Sequence, residues 1–110
     1  MEIITVEENG ILVADLKGKL DTSTAPQAEK EIGKYIIAGR KMVLDLEQTS
    51  FVSSAGLRVF LATAKKLMAA GGTLRICGAN EVVSEILEIS GFTTILDVRT
   101  NRTAALQGLS

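Results

Sequence analysis

Two hydrophobic periods alternate along the 110-residue chain. Glu2 to Glu8 and Ile11 to Leu16 are short β-branched runs separated by Asn9-Gly10. That dipeptide supplies the left-handed backbone of a tight hairpin, so the pair predicts two antiparallel strands. Gly18 to Thr24 reads as a polar connection, and Thr24 with Gln27 has the spacing of a capping box, with Pro26 tolerated in the first turn. Ala28, Ile32, Tyr35 and Ile36 then share one helical face, and Gly39 supplies the stop. Met42 to Leu46 is an almost continuous apolar run, interrupted by Asp45, as expected of a strand covered on both faces.

Beyond Glu47 to Val52, the residues Ser53-Ser54-Ala55-Gly56 open a second amphipathic helix. Its apolar stripe runs through Leu57, Phe60, Leu61, Ala64 and Met68 and ends near Gly71-Gly72. Thr73 to Cys77 predicts a strand, and Val82, Val83, Ile86 and Leu87 a third helix that Gly91 ends. Thr94 to Val98 reads as a last strand and Asn101 to Leu109 as a short terminal helix. Helical crossovers after an opening hairpin imply one α/β domain over residues 1–110. Its sheet is mostly parallel with an N-terminal antiparallel hairpin strand, and about four helices cover it.

Composition narrows the function. With 46% hydrophobic residues and one proline the chain has the material for a core. Twelve Lys+Arg against 13 Asp+Glu give a formal charge of −1 and no general drive toward nucleic acid or an anionic membrane. The absence of histidine removes Ser-His-Asp triads, imidazole acid–base chemistry and nearly every ordinary zinc site, so neither a metal nor a cofactor is expected. A single cysteine, Cys77, closes no intrachain disulfide and fits a reducing compartment, with the cytoplasm as the expected location. No signal-like segment opens the sequence and no apolar run approaches the roughly 18 residues of a membrane span, so no membrane insertion is expected.

Chemistry concentrates at Ser53-Ser54-Ala55-Gly56, where a strand's carboxyl end passes into a helix. Small residues leave that helix start approachable, and its free N–H groups and dipole favour an anion, including a phosphate attached to serine. One serine is accounted for as an N-cap; the second is not. A nucleophilic role needs a base; the chain has no histidine and no Gly-x-Ser-x-Gly pattern, and although composition leaves a Ser-Lys pair open, the spacing of Lys65 and Lys66 does not support one, so the serine is expected to be acted upon by another protein. Asp21, in the polar segment after a strand, is a turn residue or a contact beside that serine. Asp15 and Asp45 show no metal or two-carboxylate spacing, and Cys77 reads as a small buried hydrophobe. No nucleotide-binding glycine pattern is present. On the second helix Arg58, Val59, Ala62, Lys65, Lys66 and Ala69 mix small apolar and basic residues on the side away from the core stripe, a composition suited to docking on an acidic protein surface.

Val43-Leu44-Asp45-Leu46 followed by Ser50-Phe51-Val52-Ser53-Ser54-Ala55-Gly56-Leu57 closely resembles the signature of STAS domains of the bacterial anti-sigma factor antagonists. Gly18-Lys19-Leu20-Asp21, Gly71-Gly72 and Ser90-Gly91-Phe92 extend the resemblance over essentially the whole chain. It implies a non-enzymatic regulator that, unphosphorylated, binds an anti-sigma serine kinase and releases a sigma factor. Phosphorylation ends that binding and a PP2C-type phosphatase restores it. Carried over, the phosphoacceptor is Ser54, with Ser53 second, and Asp21 is a contact beside it; together with the open face of the second helix, the expected partner-binding positions are Asp21, Ser53, Gly56, Arg58, Val59 and Ala62. The family's aspartate before the phosphoacceptor falls on Ser53, which removes one negative charge and adds a hydroxyl. That departure motivates the alternative of a non-switching STAS scaffold subunit in a stress-signalling or lipid-transport complex.

Overall fold

The structure, a computed structural model, describes residues 1–109. Strands β1 (Glu2–Glu8) and β2 (Ile11–Leu20) form the hairpin across Asn9-Gly10, both with positive φ. Helix α1 (Ala25–Gly33), β3 (Lys41–Asp45), β4 (Thr49–Val52), α2 (Ser54–Ala69), β5 (Thr73–Cys77) and α3 (Glu81–Ile89) follow. A 3₁₀ turn (Phe92–Thr94), β6 (Val98–Arg99) and α4 (Arg102–Leu106) complete the described chain. The six-stranded sheet runs β1-β2-β3-β5-β6, with β4 also against β2. Only β1 with β2 is antiparallel.

Alternation along the strands divides the core between two faces. Leu12, Ala14 and Leu16 of β2, Met42 and Leu44 of β3 and Ile76 of β5 join Ala28 and Ile32, Phe60 and Leu67, and Val83 and Leu87 from the three longer helices. The opposite face is narrower: Ile11, Val13, Val43 and Cys77 lie under Ala105 and Leu109. Burial pushes the Cys77 thiol up to about 12, with the Asp45 charge adding to the rise, so it is an inert apolar filler.

Five local readings give way to tertiary pairing or turn chemistry. β2 continues to Leu20 instead of ending at Leu16, and the segment before Ser53 is itself a strand, β4. The two are linked: β2 pairs with β3 through Asp15 and with β4 from Gly18, with a register shift between Gly18, whose φ is +108°, and Lys19. In the gap, the buried Thr49 hydroxyl donates to the Leu16 carbonyl at 2.6 Å. The capping box does not form, because Thr24 Oγ1 accepts from the Asp21 N–H at 2.9 Å and donates to the Lys19 carbonyl at 2.8 Å, while Gln27 reaches toward Met1 and Glu31. Helix α1 stops at Gly33, so Tyr35 and Ile36 pack from the connection that follows. The stretch from Thr94 to Val98 begins as a 3₁₀ turn after left-handed Gly91, closed by Thr94 Oγ1 donating to the Gly91 carbonyl at 2.7 Å, and only Val98–Arg99 pairs as a strand.

Candidate functional site

The parallel pairing of Leu20 with Val52 fixes where the two chains leave the sheet, so Asp21 and Ser53 emerge beside each other. Ser53 N–H donates to the Leu20 carbonyl at 2.9 Å and anchors the turn. Gly56 is required here: a Cβ would lie 2.7 Å from the Leu20 carbonyl oxygen and 2.8 Å from Leu20 Cγ and Val52 Cγ1. The expectation of Gly56 as an approachable surface position is therefore corrected. It is buried, and its lack of a side chain lets α2 start against the ends of β2 and β4.

The two serines divide their roles. Ser53 is the N-cap of α2, its backbone extended and its Oγ accepting from the Gly56 N–H at 3.4 Å. Serine and aspartate are both good caps, so Ser53, where the resemblance expects an aspartate, keeps the cap without the charge. Ser54 is the first helical residue, exposed, with no hydrogen-bond partner for its hydroxyl among the described residues. The first turn of α2 carries no acidic side chain, so the positive end of its dipole is uncompensated there.

Asp21 behaves as a turn residue. Its Oδ1 accepts from Ser23 Oγ at 2.8 Å, Ser23 N–H at 3.0 Å and Thr24 N–H at 3.2 Å. The Ser23 hydroxyl first, then the Thr24 N–H, hold its carboxyl below the usual aspartate range. Asp21 thus stays ionised and orders the loop next to the Ser53 exit.

Beside Ser54, the start of α1 and the N-terminal half of α2 leave a shallow groove of about 470 Å³. Arg58, Val59 and Ala62 contribute one wall, and Ala25, Pro26 and Glu29 the other. Three positions expected from sequence are therefore gathered in one concavity. Val59, expected on the open side of α2, is 3% exposed, because α1 packs across it. Met68, expected in the core stripe, is 76% exposed. The α1 wall was missed by reading α2 alone; the small residues Ala25, Pro26 and Ala28 opening α1 are the signal that could have shown it. Glu29 is turned to Lys66, 3.9 Å away, and Arg58 has no ion-pair partner among the described residues.

A second polar cluster lies on the opposite face. Arg102, opening α4, donates to both carboxylate oxygens of Asp15 at 2.8 Å and to Asp45 at 2.9 Å. The hydrogen bonds to Asp15 raise its guanidinium pKa further above the ordinary arginine value. Sequence spacing gave no hint of this clamp, since Arg102 stands 87 residues from Asp15.

A family model described as the STAS domain matches residues 2–105. BtrV of Bordetella bronchiseptica, itself a candidate anti-sigma factor antagonist, is 40% identical over 106 residues, covering 96% of this chain and 91% of that protein. The anti-sigma F factor antagonist of Paenibacillus polymyxa is 29% identical over 111 residues, covering 99% of this chain and 95% of that protein. The crystal structure of an anti-sigma factor antagonist from Mycobacterium paratuberculosis shares the fold with a TM-score of 0.89 at 23% identity, covering 98% of this chain and 92% of that one.

Proposed function

The chain belongs to the STAS domain family, and on that footing we propose that it is an anti-sigma factor antagonist switched by phosphorylation at Ser54. The observation that carries the reading is the division between the serines: Ser53 Oγ is occupied as a cap while Ser54 Oγ is exposed and unengaged beside the α1–α2 groove. The protein acts as a binding surface and a phosphate acceptor, with the chemistry in its partners. Unphosphorylated, it docks on an anti-sigma serine kinase through the Ser54 turn and the groove rim, and the sigma factor is released.

In the switching step the kinase's base takes the Ser54 hydroxyl proton. A bond forms between Ser54 Oγ and the γ-phosphorus of ATP as the bond to the β–γ bridging oxygen breaks, and ADP leaves. The product carries about −1.5 to −2 charge at a spot designed for close protein contact. Helix dipole and N–H groups tolerate the phosphate within this domain, while repulsion and desolvation expel the partner. A PP2C-type phosphatase returns the serine by hydrolysis, with water supplying the oxygen of the released phosphate.

The cognate kinase with ATP is expected to add one phosphate to the wild type and to Ser53→Ala but none to Ser54→Ala, read by intact mass. Ser54→Asp is expected to weaken kinase binding at least about tenfold. A wild type that binds the kinase and is never modified overturns the switch. Binding that Ser54→Asp leaves unchanged favours the scaffold reading, for which the charge lost at Ser53 is the motivating feature.

A further inference from the structure

Arg58 has an unusual position. It is the only charged side chain between Ser54 and Ala64 on α2, and it is a cation near a helix start that has no acid in its first turn, where cations are disfavoured. No salt bridge relieves it among the described residues: Glu29, across the groove, pairs with Lys66 instead. Residues four apart on a helix lie one above the other, with their Cβ atoms about 5–6 Å apart. Arg58 is four residues from Ser54, and both are exposed. A long arginine on the turn below therefore reaches a group built on the Ser54 oxygen, and its planar fork suits two phosphate oxygens.

We infer that Arg58 is the internal partner of the Ser54 phosphate, and that phosphorylation withdraws this guanidinium from the groove rim to close an i,i+4 ion pair. The inference rests on the phosphorylation proposed above and deepens it. Adding the phosphate changes the docking surface twice: it introduces a dianion at the helix start, and it removes the free cation that lines the groove beside Val59 and Ala62. Neither change needs the backbone to move. Other charged groups on the neighbouring elements are Lys19 near the end of β2, Asp21 just after it and Glu29 on α1, while Lys65 and Lys66 both lie about three turns further along α2.

The test uses the full chain with phosphoserine installed at position 54 by codon reassignment, so that no kinase is involved. The phosphate's second ionisation is followed by ³¹P NMR in the wild-type, Arg58→Gln, Arg58→Lys and Lys65→Gln backgrounds. Pairing with Arg58 favours the dianion. Arg58→Gln is expected to raise the midpoint by at least about 0.3 pH unit, Arg58→Lys by less, and Lys65→Gln to leave it in place. An unchanged midpoint in Arg58→Gln overturns the inference, as does an equal shift in Lys65→Gln, which would report general screening. Both outcomes leave the phosphorylation proposal standing, because that one is decided separately, by kinase modification of Ser54 and by the effect of Ser54→Asp on kinase binding.

Discussion

Two polar constellations flank the sheet and are built on opposite terms. At the Arg102 clamp, one guanidinium meets the carboxylates of Asp15 and Asp45, and the charges are consumed inside the fold. At the Ser54 turn, Ser53 and Asp21 are satisfied by neighbouring N–H groups, but Ser54 and Arg58 are left open beside an apolar groove. The Asp45 side chain is 3% exposed, so losing its partner is costly. The hydroxyl of Ser54 is solvated, so losing it costs almost nothing to the fold. A cluster that answers its own charges serves stability; one that leaves groups unanswered at the surface is available to a partner.

The difference is testable by substitution, beginning at the clamp. Arg102→Ala leaves both carboxylates without their cation and is expected to cost about 2–4 kcal/mol in urea denaturation, below the figure for a fully buried pair because the guanidinium is partly exposed and Asp45 keeps the Glu47 N–H. Gly56→Ala follows, at about 1–3 kcal/mol, because its methyl meets a backbone carbonyl and two packed side chains. Ser53→Ala removes the α2 cap and is expected to lower stability by about 0.5–1 kcal/mol, while Ser54→Ala stays within about 0.5 kcal/mol of wild type. A larger loss in Ser54→Ala than in Ser53→Ala would reverse the roles assigned to the two serines.

The smallest effect concerns Asp21 and acid. Because its folded carboxyl sits below the usual range, it stabilises the fold fully above the unfolded value of about 3.9, and that contribution disappears as pH falls through the lowered folded value. The gap in urea midpoint between wild type and Asp21→Asn is expected to be constant from roughly pH 5 to 8 and to shrink below about pH 4. A gap that widens in acid would show that the Ser23 and Thr24 contacts do not favour the ionised form.

Features governed by neighbours in sequence were readable before folding. Asn9-Gly10 turns the hairpin, and the serine pair before an apolar stripe starts α2, because left-handed turns and helix caps are decided within a few residues. Thr24 and Gln27 show the limit even locally: the right residues at capping-box spacing yielded to an Asp21-centred turn with more hydrogen bonds on offer. Strand β4 was not readable, since Thr49–Val52 is short and has exposed residues at its centre. It is a strand because β2 outruns β3 and needs a partner beyond Gly18. Val59 and Met68 exchanged their expected exposures because periodicity sets the orientation of a stripe only coarsely, and the crossing of α1 decides which flank is covered.

The order of strands and helices apart from β4, the absence of histidine and the small-residue helix start at Ser53-Ser54 follow from residue type and short spacing. The closing of Arg102 on two aspartates, the groove formed with α1 and the burial of Gly56 were settled by folding. They depend on segments far apart in the chain meeting at distances of a few ångströms, and short-range spacing carries no information about such meetings.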